Sequence, residues 1–439
     1  MKRFLSLLGF DSKTHKVRTE VVAGLTTFVT MCYILAVNPL ILGAAGMDKG
    51  GVFTATVVSA AIATLVMAFY AKLPFALASG MGLNAFFAYT LVLMMGYSWQ
   101  EALAAVLFEG VAFMILTLLG VREAIVNSIP ANLRYALSVG IGLFIAFLGL
   151  QNGGIIVANE STLTALGPLT PASCLALGGI LLGAILLKLR VKGALLITIL
   201  AITAIGIPLG VTTLPEGFVL VSTPPSMKSV AFQVDFGHFL ELDLNYYIVV
   251  FTMLFMDLFD TLGTLIGASA SAGMMDKDGN VPGLNKALMA DAVGTVAGAL
   301  CGTSIVTTYV ESATGIAEGG RTGLASFTVA ILFLLSLFLA PLFLIIPSAA
   351  TTSALVLVGA MMMNSVVKID FSDISEVVPA FLMMLAIPFA SSISDGIVLG
   401  LMSYVLVKVC TGRHKEVSVA MYILFAFFLL KFLTPVLLQ

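Results

Sequence analysis

Apolar runs of about 17 to 25 residues, the length that crosses roughly 30 Å of hydrocarbon, recur from residue 20 almost to the end of the chain. They fall at 20–45, 51–70, 75–95, 100–119, 132–150, 171–188, 193–210, 244–271, 286–301, 304–320, 323–346, 349–364, 374–391 and 394–411. Polar or basic stretches separate them. The pattern predicts an all-α polytopic membrane protein of fourteen transmembrane segments. A fifteenth run, 417–437, is broken by Lys431 and Pro435 and reads either as a further span or as an interfacial helix.

Two segments depart from the helical pattern, and they hold the third and tenth positions. Lys72 to Asn84 opens with Pro74, runs briefly and breaks at Gly80 and Gly82. Gly302 to Gly315 opens with a β-branched run, which favours extended backbone, and then meets Glu311 and small residues. Each predicts a short extended piece leading into a half-helix. Irregular backbone at membrane depth is tolerated only where protein or a water-filled cavity satisfies its amides, so paired breaks predict a binding site near the midplane.

Of the 439 residues, 60% are hydrophobic and 10% charged, which excludes a soluble globular domain of this size. The net charge of −2 carries little information on partners, and no basic cluster suggests nucleic acid. Lys and Arg give the orientation. With the N-terminus inside a cell (inner) membrane, Lys72, Arg122, Arg134, Lys188, Arg190, Lys192, Lys277, Lys286, Arg321, Lys368, Lys408, Arg413 and Lys415 fall on the cytoplasmic side, and the connections 151–170 and 211–243, nearly free of Lys and Arg, fall outside. Seven spans on each side of 211–243 make the second set start from the opposite face, the plan of an inverted repeat. The basic start, residues 1–19, has no uninterrupted apolar core or small-residue cleavage site and reads as a cytoplasmic lead-in.

Asp257 and Asp260 stand in a long apolar run with no other charge. A carboxylate at the bilayer centre costs about 2.5 to 3.5 kcal/mol on insertion scales, so it persists mainly where something uses it. Three positions apart, the two share one helical face with Met253, Thr264, Gly267 and Ser271. Glu311 on the tenth segment and Asn84 on the third complete a set expected to converge; Thr307, Thr308 and Tyr309 add hydroxyls or backbone contacts. Asp257 reads either as a ligand contact or as a positioning group. Asn84 has the alternative role of an N-cap, and Asn38, before Pro39, reads as a turn signal ending the first helix. Glu109 lies on a routine helix, and Asp395 follows a Ser-rich break where a cap is expected. Gly263, Gly267 and Ser271, and likewise Gly294, Gly298 and Gly302, form close-packing faces. The four cysteines lie singly, without metal-ligand spacing, and the three histidines fall in loops. No P-loop is present. No metal, cofactor or enzymatic chemistry is expected.

Together, Asn38-Pro39-Leu-Ile-Leu, Gly80-Met-Gly-Leu-Asn84-Ala-Phe-Phe, Asp257-Leu-Phe-Asp260-Thr-Leu-Gly-Thr-Leu and Thr307-Thr-Tyr-Val-Glu311-Ser-Ala-Thr-Gly315 resemble the AzgA-like purine permeases. These are a branch of the nucleobase–cation symporter-2, or nucleobase–ascorbate transporter, group. The resemblance implies two inverted sevens, with a core built from 20–120 and 244–346 and a gate built from 130–210 and 347–411. The connection 211–243 lies outside, and 412–439 is an extra C-terminal helix. It further implies proton-coupled uptake of a purine such as hypoxanthine, guanine or adenine. Asp260 and Glu311 would hold the base and serve the proton, Asn84 would sit beside them, and the gate would support a homodimer in the lipid bilayer. An anion carrier of similar architecture is the alternative transporter, disfavoured by acids at a site without Lys or Arg. An intramembrane aspartyl protease would need its acids on separate helices, whereas Asp257 and Asp260 share one.

Overall fold

The computed structural model describes residues 2–119, 130–215, 217–241, 244–271, 274, 281–390 and 392–437. The chain is mostly helical. The helices that carry the architecture are α1 (Val17–Met31), α2 (Ile34–Ala44), α3 (Lys49–Val66), α4 (Met81–Ala85), α5 (Trp99–Leu118), α6 (Ala131–Asn152), α7 (Pro171–Lys188) and α8 (Ala194–Gly206). They continue as α9 (Leu244–Ser271), α10 (Leu284–Cys301), α11 (Ser312–Ala317), α12 (Gly323–Ser336), α13 (Ser348–Met362), α14 (Ile374–Phe389), α15 (Ile393–Cys410) and α16 (Val419–Leu437). Among the described residues, eight helical stretches are long and apolar enough to cross a membrane, so the protein is multi-pass. Met81–Met94, Ala194–Gly206 and Ile374–Phe389 are shorter apolar helices.

Local sequence starts several of these helices. Asp48 accepts from the Gly51 amide at 2.9 Å at the head of α3. Ser98 and Glu101 form a reciprocal capping box on α5. Thr170 caps α7, with Pro171 at the first helical position, where a missing N–H costs nothing.

The first apolar segment is not one helix. It divides at Cys32 and Tyr33 between α1 and α2. Asn38 does not end it, and Pro39 lies inside α2. The Asn38 amide Nδ2 instead donates to Thr56 Oγ1 at 2.7 Å and Thr303 Oγ1 at 2.8 Å, so this residue ties three segments together.

The third and tenth segments hold the extended pieces. Leu77–Ser79 (β1) pairs antiparallel with Val306–Thr308, Leu77 opposite Thr308 and Ser79 opposite Val306. Two further strands, β2 (Ile156–Asn159) and β3 (Leu163–Leu166), form a hairpin in the 151–170 connection, which leaves Val306–Thr308 as β4. All of β1 and β4 is buried. Beyond β1, α4 runs directly into a π-helix over Phe86–Met94.

Two sets of helices pack among themselves. α3 lies against α10 and α12, α1 against α11 and α12, and α5 against α9 and α10; separately, α6 packs on α13 and α14, α7 on α8 and α13, and α14 on α15. Lipid-immersed helices gain little from hydrophobic burial against one another, so small residues set the approach. A Cβ on Gly359 would stand 2.4 Å from the Gly142 carbonyl oxygen, and one on Gly323 would stand 2.0 Å from that of Ala68. Gly294 and Gly298 meet Ala63, Ser304 and Val306 in the same way, while the surroundings of Gly263, Gly267 and Ser271 lie outside the described residues.

At the far end of α15, buried Lys408 meets Glu376 and Glu416 at 2.8 Å each. Arg413 pairs with Glu416 at 2.6 Å and with Asp373. This clasp joins the head of α14 to the turn before α16, and Phe428 of α16 reaches Phe251 of α9 at 6.5 Å between ring centroids. Ser375 and Arg413 hold the Asp373 carboxyl below the ordinary carboxylate range, and Arg413 and Lys408 do the same for Glu416. A carboxylate depressed in the folded state contributes stability that is complete above its unfolded value, about 4, and is lost as pH falls through the folded value. The thermal midpoint of the purified protein is therefore expected to drop between about pH 5 and pH 3. Arg413→Gln should flatten that drop in thermal scans across this window; an unchanged slope would remove the clasp from the pH dependence.

Candidate functional site

The site is assembled around the β1–β4 crossing. Its backbone is satisfied by the ladder and by side chains from neighbouring helices. Thr64 of α3 bonds both the amide and the carbonyl of Leu77, Ser312 Oγ accepts from the Ala76 amide at 3.0 Å, and Thr295 Oγ1 donates to the Val306 carbonyl at 3.1 Å. Ser326 of α12 donates to the Leu73 and Phe75 carbonyls at 2.6 and 2.7 Å. Each of these would otherwise be an orphaned backbone group in a medium without water.

The four residues expected to converge arrive from three elements. Asp257 and Asp260 lie on α9, Asn84 on α4, and Glu311 immediately precedes α11. Asp260 is exposed and Glu311 half-buried, and the two lie within each other's electrostatic reach. Asp257 is fully buried, as are Met253, Leu258 and Thr261, so α9 shows protein on most of its described circumference. The two aspartates share a face of the helix but differ in burial. Asn84 is also fully buried, its Oδ1 accepting from Ser304 Oγ of the tenth segment and its Nδ2 without a partner among the described residues.

The hydroxyls read as ligand contacts have internal partners. Thr308 Oγ1 donates to Asp291 Oδ1 at 3.2 Å, and Thr307 and Thr261 share a hydroxyl contact of 2.7 Å. The Tyr309 hydroxyl donates to the Ser79 carbonyl at 2.5 Å, crossing from the tenth segment to the third. Their side chains hold the crossing together. Glu109 is buried on α5, and Asp395 lies in the first turn of α15, whose head Ser392 caps, in line with a capping position.

Three participants escaped the reading of the chain. Asp291 of α10 is fully buried and accepts from Thr261 Oγ1 at 2.9 Å as well as from Thr308, fastening α9 and β4 to α10. Its signal was available: a lone acid inside the run 286–301. Ser304 holds Asn84, and Tyr33 donates its hydroxyl to Glu311 Oε1 at 2.7 Å. Nothing in the local pattern distinguishes that tyrosine from an ordinary packing aromatic.

The fold is a multi-pass membrane protein whose two extended breaks pair in its interior, with acids beside the crossing. The comparisons agree. The permease family represented by Xan_ur_permease matches residues 18–399, and the chain belongs to that family. A protein of Methanocaldococcus jannaschii is 52% identical over 424 residues, covering 96% of each chain. The adenine permease AdeQ of Escherichia coli is 43% identical over 416 residues, covering 94% of this chain and 93% of that one. The guanine/hypoxanthine permease PbuO of Bacillus subtilis is 43% identical over 408 residues, covering 91% of this chain and 94% of that one. Among solved structures, the transmembrane domain of the cyanobacterial bicarbonate transporter BicA superposes with a TM-score of 0.65 at 18% identity, over 88% of this chain and 98% of that one. The murine anion transporter Slc26a9 in its inward-facing state gives 0.63 at 12% identity, over 94% of this chain and 72% of that one. These structures share the fold.

The α1–α11 contact beside Glu311 leaves no room for a side chain at Gly315, where a Cβ would stand 2.1 Å from Thr27 Oγ1 and 2.5 Å from the Ala23 carbonyl oxygen. Overpacking of this kind costs about 1 to 3 kcal/mol. Gly315→Ala is expected to lower the thermal midpoint by several degrees, whereas Gly178→Ala, with open space at its Cβ, should leave it unchanged in the same assay.

Proposed function

We propose that this protein is a secondary active transporter that takes up purine nucleobases with protons. The observation that carries the reading is the identity of 43% over nearly the whole chain to permeases named for adenine and for guanine/hypoxanthine. The chemistry of the site supports it. A purine is planar, neutral and rich in N–H donors, and carboxylates accept from such edges through charge-assisted bonds. Asp260 and Glu311 present two carboxylates in mutual reach, on segments without Lys or Arg. The same acids suit a proton co-substrate, since a carboxyl in a low-dielectric site exchanges protons at accessible pH.

Asp260 and Glu311 act as base-holding and proton-carrying groups. Asn84 lies beside them, Asp257 positions α9, and Thr308 and Tyr309 keep the crossing in register. Fourteen spans in two inverted sevens divide into a core (20–120 and 244–346) and a gate (130–210 and 347–411), in keeping with the two sets of helices that pack among themselves. Alternating access moves the core against the gate as an elevator, and the gate carries the homodimer contact. The N-terminus is cytoplasmic and the membrane is the inner one, in line with the distribution of Lys and Arg. An anion cargo is disfavoured by the acids, and fold likeness at 12 to 18% identity carries no statement on cargo.

In proteoliposomes an inward proton gradient is expected to drive uptake of labelled hypoxanthine, with guanine or adenine competing and uracil failing to compete. Asp260→Asn and Glu311→Gln should remain in the membrane while uptake falls by about 10-fold or more, the scale of a lost charged hydrogen bond. Full uptake by either mutant at low and at neutral outside pH would remove that residue from the mechanism. No uptake or competition by any base under either gradient would overturn the purine reading.

A further inference from the structure

The geometry points to Tyr33 as the positioning residue for Glu311: its hydroxyl fixes which carboxylate oxygen is held by the protein and which is offered to the cargo. The inference rests on the reading of Glu311 as a cargo-binding acid.

A short polar side chain at a helix N-cap, such as Asp or Ser, accepts from the amides of the first turn. Glu311 occupies that position on α11 and makes no side-chain cap bond. Its carboxylate turns instead toward the break between α1 and α2, where Tyr33 Oη donates to Oε1 at 2.7 Å. Tyr33 is 1% exposed, so this is a donor shielded from water, and it is the side chain from another segment that donates to Glu311, whose own backbone amide lies near the carboxylate as well.

The donor cannot drift, because the strand of chain that carries it is fastened to the helix that carries the acceptor. Thr30 Oγ1 meets Thr314 Oγ1 at 3.1 Å, while also bonding the Thr26 and Thr27 carbonyls. Gly315 brings α11 within contact of Ala23 and Thr27 one and two turns earlier. Tyr33 stands where α1 passes into α2, which places it beside the head of α11. With Oε1 taken, Oε2 is the oxygen left for an N–H edge of a base, and the rotamer of the acid is chosen before the cargo arrives.

The test is Tyr33→Phe in the full-length protein, reconstituted in proteoliposomes, with hypoxanthine as the probe. The apparent KM is expected to rise about 10-fold, with Vmax at saturation within about twofold and the thermal midpoint preserved. In a Glu311→Asp background, where the shortened acid no longer reaches Tyr33, adding Tyr33→Phe should produce no further rise in KM. A second readout does not depend on cargo: the infrared carboxyl band that Glu311→Gln removes should shift in Tyr33→Phe. If Tyr33→Phe does not assemble, 3,5-difluorotyrosine at position 33 keeps the shape and strengthens the donor, and the same band must still move. An equal KM penalty in both backgrounds, or a band that stays in place, overturns the proposal. If the wild-type protein carries no purine, the proposed function fails, and the infrared result alone decides Tyr33.

Discussion

Six residues of extended backbone, Leu77–Ser79 against Val306–Thr308, lie buried in a protein whose surroundings are hydrocarbon. Water cannot complete their hydrogen bonds there, and an unsatisfied amide costs several kcal/mol. The two strands satisfy one another on one side, and hydroxyls brought in by α3, α10, α11 and α12 satisfy much of the remainder. The consequence is strict. Each of those helices must approach the crossing closely enough to deliver a hydroxyl, which fixes the helices around it.

That requirement explains the division of labour among polar residues at the crossing. Serine and threonine there are spent on structure: Ser79 meets Thr303, which accepts from Asn38, while Thr307 meets Thr261 and Thr308 donates to Asp291. Asp291 and Asn38 are the polar pins of this arrangement, each joining separate segments. Asp260 and Glu311 stand beside this web, and Tyr33 donates to Glu311.

Away from the crossing the same physics takes other forms. Glycines let backbones meet where hydrophobic burial offers little drive, as at Gly142 with Gly359 and Gly323 with Ala68. Charge appears as a clasp near the ends of α14 and α15, where buried Lys408 is surrounded by three carboxylates. A lysine without them would be an uncompensated ion. The two sets of helices meet through polar contacts such as Asn152 to Tyr89 at 3.2 Å and Lys192 to Glu318 at 2.6 Å, and through packing such as Gly82 against Ile141 and Gly193 against Val29.

The amino-acid sequence by itself determined the membrane character, the placement of the apolar segments, the interruption of the third and tenth, and the acids Asp257, Asp260 and Glu311. These follow from composition and periodicity, because hydrocarbon penalises charge and rewards apolar length residue by residue. Tertiary structure alone decided how the polar groups are used. Asp257 and Asp260 are three positions apart and share a face on paper, yet the packing of α9 buries one and leaves the other open. Thr308 and Tyr309 read as ligands until their partners on other segments are known. Tyr33 and Glu311 are separated by 278 positions, and no local pattern marks their pairing. A hydrogen bond depends on where two segments meet, and that meeting is set by the antiparallel crossing of two short strands.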